Sequence, residues 1–262
     1  MKKLIALVLI GIFLCQFALA EETVTDGYYD LRPLLQLKEG EEAFLTIDRS
    51  YYSGDTVYKG RTGKVLTGAC ALHCGAVMIS NLTGREATGQ QVAKANNRDI
   101  REESRWIPFV SWGKVARAFH VDFKGYNMAS YRSHQKKKGT TRESRRIDVM
   151  KTLIEAMKTY ASTSGLAMHY NSTGRTNGSG HKHAVVLLGY IEKDGVPVDL
   201  LLTDSSVPAP QGACVRLSES SLPNSMLGQK KADAARLNGD NLAYLMMDYV
   251  VSYRYCFEPS DD

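Results

Sequence analysis

The sequence predicts an α+β domain with helices packed beside an antiparallel sheet, and the order of its patterns carries that prediction. Apolar residues recur at helical spacing from Cys70 to Leu82, Thr88 to Asn96 and Phe109 to Phe119. Strand-like runs fill the second half, from Leu166 onward. No internal repeat is found.

The chain opens on Lys2 and Lys3, an apolar run from Leu4 to Phe17, and Ala18-Leu19-Ala20, which together read as an export signal with an A-x-A cleavage site. That run falls short of the roughly 20 residues a spanning helix needs. Residues 1–20 are therefore expected to be removed, leaving a secreted or periplasmic protein that begins near Glu21. Cys15 lies inside this segment, where Ile12-Phe13-Leu14 lack the small residue of a lipoprotein signal. No later apolar run could cross a bilayer.

Residues 21–60 are polar and aromatic, with a strand-like piece at Ala43 to Ile47, and read as an N-terminal extension wrapping the domain formed by residues 61–262. After the three helical patterns comes a basic stretch in which Lys136, Lys137, Lys138, Arg142, Arg145 and Arg146 cluster. The net charge is only +5, and neither aromatic interleaving nor a nucleic-acid motif accompanies the cluster, so it reads as a solvated loop and helix start and no nucleic-acid partner is expected. A long amphipathic helix follows, with Ile147, Met150, Ile154, Met157 and Tyr160 as its core stripe.

Strands are expected at Leu166 to Tyr170, Ala184 to Ile191, Val198 to Thr203, Cys214 to Leu217 and Tyr249 to Phe257. Between the first two, Asn171 to Gly180 is too rich in Gly, Ser and Asn for regular structure; it reads either as a flap before His183 or as a plain surface loop. Asn81-Leu82-Thr83 and Asn171-Ser172-Thr173 match the glycosylation sequon and are given no functional weight. Of the cysteines past the signal, Cys70 and Cys74 stand at i and i+4 on one helix face, where their Cβ vectors run parallel and disfavour a bridge. If a disulfide forms, Cys214 with Cys256 is the expected pair.

The chemistry centres on Cys70, which stands where a loop turns into an apolar helix. Unpaired N–H groups at a helix start favour thiolate over thiol, and the thiolate is the nucleophile. His183 sits at the mouth of the strand pattern Ala184-Val185-Val186-Leu187-Leu188, and Asp204 closes the next apolar run, Leu201-Leu202-Thr203. Cysteine, histidine and acid in that order, each at the edge of a regular element, is the order of a papain-type triad. Each residue alone has a structural reading: a packed helix cysteine, a strand-end histidine, a turn aspartate. Cys70 is preferred to Cys74 because only Cys70 can occupy the first helical turn, and His183 to His181 because it directly precedes the strand. His73, inside the helix, reads as a surface or supporting residue. Cys70, Cys74, His181 and His183 could be read as zinc ligands, but their spacing is not that of a common zinc module.

The run Cys70-Ala71-Leu72-His73-Cys74-Gly75-Ala76-Val77-Met78-Ile79 resembles the helix start of the bacteriocin-processing, double-glycine class of cysteine peptidases and their secreted relatives. The downstream order is similar too: a long helix, Gly165-Leu166-Ala167-Met168, then His183-Ala184-Val185-Val186 leading to Gly189-Tyr190, a Lys193-Asp194-Gly195 turn, and an apolar strand ending in Asp204. The resemblance covers roughly residues 60–257 and implies a papain-like fold, with an N-terminal helical half carrying the nucleophile packed against an antiparallel sheet carrying His and Asp. It further implies Cys70 as nucleophile, His183 as general base and later acid, Asp204 as the group orienting the imidazole, a peptide or protein substrate, and no metal or organic cofactor. One departure stands out: relatives carry a glutamine about six residues before the nucleophile, where this chain has Lys64, and no Gln or Asn occurs between Tyr51 and Ala69. The Cys70 N–H is then expected to serve the oxyanion, with Lys64 and Thr67 as candidate partners and Lys64 expected to point outward, since a buried lysine would repel the imidazolium. Peptidoglycan amidase or endopeptidase chemistry, acyl transfer, and a non-catalytic binding protein on a decayed peptidase scaffold are the alternatives on the same fold.

Overall fold

The structure, a computed structural model, describes residues 27–53, 57–59, 65–67, 70–96, 112–126, 141–160, 166–171, 182–220 and 250–260. The expected export signal, the 172–180 loop, Lys64 and the lysines at 136–138 lie outside these residues.

The segment expected to wrap the domain is built into it. It supplies β1 (Gly27–Asp30), β2 (Glu41–Leu45) and β3 (Arg49–Tyr52), with β1 and β3 paired as an antiparallel ribbon. Tyr51 and Tyr52 are successive residues and point to opposite faces of this ribbon, yet both are buried, so the ribbon is covered on both faces there. A second ribbon pairs β4 (Val57–Lys59) with β5 (Val65–Thr67).

Helix α1 (Cys70–Thr83) is apolar on every side, and Ala71 through Ser80 are all buried, the signature of a helix at the centre of a fold. Around it pack α2 (Gly89–Asn96) and α3 (Trp112–Phe119), each burying a narrow stripe. The tyrosine ribbon is pinned to the far end of α1. Tyr28 Oη donates to Ser80 O at 2.8 Å, Tyr51 N–H donates to Asn81 Oδ1 at 2.7 Å, and Asn81 Nδ2 donates to Ser50 Oγ at 2.9 Å. The side chain of the first sequon is thus engaged inside the fold.

Next come β6 (Val121–Tyr126), the long helix α4 (Arg142–Tyr160), β7 (Leu166–Asn171), β8 (Lys182–Lys193), β9 (Val196–Thr203), β10 (Val215–Arg216) and β11 (Val250–Pro259). They form one antiparallel sheet in the order β10-β9-β8-β7-β11-β6, to which β2 adds a seventh strand. β8 is the spine. β9 runs along one edge, while β7 covers Lys182 to Leu187 on the other and β2 covers Gly189 to Lys193 beyond it. Glycine is required at the change-over, since a Cβ on residue 189 would lie 2.3 Å from the Phe44 carbonyl oxygen. Ala184, Val186 and Leu188 join the cluster around α1. The intervening Val185 and Leu187, also buried, lie outside that cluster. Strand alternation turns them to the other face, where α4 packs on β8 and β9 with Met150, Leu153, Ile154 and Met157 buried. The sheet is therefore the middle layer of an α+β architecture.

A buried charge cluster locks β2 to the sheet. Arg216 donates through Nη1 to Glu41 Oε1 at 3.2 Å, through Nη2 to Glu41 Oε2 and to Gln36 O, and lies 3.9 Å from Asp199 Oδ2. Asp199 accepts from Ser218 Oγ at 2.5 Å and from Leu200 N–H at 2.9 Å. Burial pushes its carboxyl up to about 6 against those bonds, while the bond from Arg216 holds Glu41 below the ordinary glutamate range.

Three expectations change. The expected strand at Cys214 to Leu217 shrinks to β10, because the chain turns at Leu217 and Ser220 N–H bonds back to Arg216 O at 2.9 Å. β1, β3 and β6 add strands that the patterns did not separate from loops. The expected pair Cys214 and Cys256 is not bridged: neither is in a disulfide, and both are buried. Cys214 abuts β10 and Cys256 lies in β11, four strand spacings or about 19 Å across the sheet, beyond any disulfide's span.

Candidate functional site

Cys70 is the first residue of α1, half-buried, with its thiol in the positive potential of the unpaired N–H groups there. The Ala184 N–H donates to Cys70 Sγ at 3.3 Å. Ala184 is the third residue of β8, where β9 has already ended opposite Val186 and leaves room for the helix start. It puts the backbone of His183–Ala184 against the thiol. His183 itself pairs with Tyr170 across β8 and β7; its side chain lies outside the described residues, as do those of His181 and Thr67.

Asp204 follows β9 directly and is fully buried. Its Oδ1 accepts from Ser206 N–H at 2.9 Å, its carbonyl accepts from Val207 N–H at 3.0 Å, and its own N–H donates to Gly212 O at 2.9 Å. The carboxylate is therefore fixed in a tight turn at the strand end.

Cys74, one turn inside α1, is fully buried. Burial pushes its thiol well up, and the negative charges of Cys70 and Asp204 push it further, so it stays protonated and inert. Cys214 is likewise pushed up to about 12 by burial. Of these thiols Cys70 alone combines access, a helix start and an N–H donor.

Of the two readings of His73, a surface or a supporting residue, burial excludes the first: it is 1% exposed. Nδ1 faces Ser53 O at 3.0 Å, Nε2 faces Thr203 Oγ1 at 3.2 Å, and the Tyr52 ring stands edge-on at 5.1 Å between centroids. Helical periodicity could not reveal these partners, which arrive from strands on either side. Among the described residues no cluster of His, Cys, Asp and Glu could hold a metal ion, and no helix is long and apolar enough to cross a membrane. No family model matches the chain, and no curated protein or solved structure matches it either.

Proposed function

We propose that the chain is a secreted papain-like cysteine peptidase that cuts peptide bonds through an acyl-enzyme on Cys70. The observation that carries this reading is the half-buried Cys70 thiol at the start of α1, accepting the N–H of the residue after His183. In this scheme the His183 imidazole takes the Cys70 proton, and the thiolate attacks the scissile carbonyl. The imidazolium then protonates the leaving amine, and a water activated by the same ring hydrolyses the thioester. Asp204 holds the ring in the productive tautomer, a task suited to a carboxylate already fixed in a turn. In the same scheme the Cys70 N–H is an oxyanion donor. The lysine at position 64, where relatives of this kind carry glutamine, favours one competing reading, a binding protein that has lost turnover.

The test is labelling of the purified protein with a thiol-directed, peptide-based covalent probe. The wild-type chain should label at Cys70, Cys70→Ala should abolish labelling and hydrolysis with the fold intact, and Cys74→Ala should retain most of both. A wild-type protein that folds but takes no probe supports the binding protein, and loss of labelling in Cys74→Ala alone would move the nucleophile.

A further inference from the structure

We infer that His73 is a positioning residue that ties the Cys70 end of α1 to the Thr203–Asp204 end of β9. The inference rests on Cys70 as nucleophile and Asp204 as orienting acid. His73 stands three residues after Cys70, so the two side chains are neighbours on the helix surface, about 5–6 Å apart at Cβ. Its ring reaches Thr203, the residue before Asp204, and Ser53, the residue after β3. One buried imidazole thus joins the nucleophile's helix, the acid's strand and the N-terminal ribbon.

The proton placement is constrained. Ser53 O can only accept, so Nδ1 carries a hydrogen and donates to it. In the neutral ring Nε2 faces the Thr203 hydroxyl as an acceptor at 3.2 Å. The same hydroxyl donates to Gly212 O at 3.0 Å, the carbonyl that also receives the Asp204 N–H. Its one proton therefore lies between the ring and the carbonyl that anchors the acid's turn, and the Thr203 side chain links the two. Without the ring that link from α1 to the Asp204 turn is lost. An apolar residue at 73 would fill the same space but take its donor from the buried Ser53 carbonyl. The imidazole adds direction, by fixing where Asp204 sits relative to Cys70.

The consequence is a loss of alignment rather than of fold, and a displacement of about 1 Å in such a constellation can lower rate about 100-fold. The experiment measures the rate of Cys70 alkylation by the peptide-based probe from pH 5 to 9, with circular dichroism as the fold control. His73→Leu and Thr203→Val should each lower the rate at pH 7 about tenfold or more and move its midpoint up by about one pH unit, as the ion pair around Cys70 loses its aligned acid. Thr203→Ser, which keeps the hydroxyl, should restore the wild-type profile. If both disruptive variants fold and alkylate with the wild-type profile, His73 is structural only and the inference falls while the peptidase reading stands. Should His73→Leu fail to fold, the comparison of Thr203→Val with Thr203→Ser decides by the same criterion. A wild-type chain that takes no probe overturns the peptidase reading, and the inference with it.

Discussion

Asp199→Asn should make the protein more stable at neutral pH, because the buried cluster holds two carboxylates against one guanidinium. Arg216 makes a two-pronged bond to Glu41, whereas Asp199 meets it only at 3.9 Å and through Nη1. Asp199 is therefore the excess negative charge, and burial raises its carboxyl from 3.8 to about 6. At 1.36 kcal/mol for each pH unit of that rise, ionising Asp199 costs the folded protein about 3 kcal/mol. The folded state binds this proton more tightly than the unfolded one, so the stability Asp199 contributes is present below about pH 4 and lost as pH rises to about 6. Asparagine keeps the acceptor for Leu200 N–H and can donate its amide to Ser218 Oγ, so the hydrogen bonds survive without the charge. The assay is urea unfolding of wild type and variant from pH 4 to 7.5, comparing the two at each pH so that other titrating groups cancel. The variant should gain steadily on the wild type between pH 4 and 6 and lead by about 2 kcal/mol more at pH 7 than at pH 4, where part of the effect is already present. A difference that is flat with pH, or that turns against the variant as pH rises, would show that Arg216 holds Asp199 as a stabilising ion and would refute the charge count.

Two further outcomes follow from the geometry around Asp204 and the thiols. Gly212→Ala places a Cβ 2.0 Å from Val207 O and 2.9 Å from Asp204 O, both backbone atoms that cannot swing aside, so it should destabilise by about 3 kcal/mol or more in urea and also slow alkylation of Cys70; a variant with wild-type stability would show the 204–212 turn to be soft. In the native protein at pH 8, iodoacetamide should modify Cys70 while Cys74, Cys214 and Cys256 react only after denaturation, read by peptide mass mapping, and native modification of Cys74 would contradict its burial.

Much of the architecture is legible before folding because burial writes itself into periodicity. The apolar run from Cys70 to Ile79 belongs to a helix buried on all sides, and the stripe Met150, Ile154, Met157 belongs to one buried on a single face. Val121 to Tyr126 does alternate as a strand, with Val121 and Phe123 on the core and Asp122 and Lys124 exposed, but the run is short and the partner that completes it, β11, comes far along the chain. The positions of Cys70 and Asp204 at element boundaries are equally readable from local pattern. His73 is not, because a polar residue on an apolar helix looks exposed until its partners arrive from Ser53 and Thr203, 20 and 130 residues away. The Arg216 cluster hides for the same reason, with Glu41 lying 175 residues from the arginine it binds. Local spacing reports which face is apolar; it says nothing of which distant groups a buried polar atom will meet.

The interleaving of the sheet has a kinetic meaning. β2 takes its place only against β8, and β11, made from the last described residues, slots between β7 and β6. A chain emerging from its N-terminus must therefore hold residues 41–45 in waiting until residue 193 has appeared, and leave β6 without its sheet neighbour until the C-terminal strand is delivered. Such long-range closures place folding in the slow, millisecond-to-second regime. Because β8 supplies the N–H that meets the Cys70 thiol, the thiol meets its surroundings only as this assembly completes, so an unfinished chain would carry the cysteine without them.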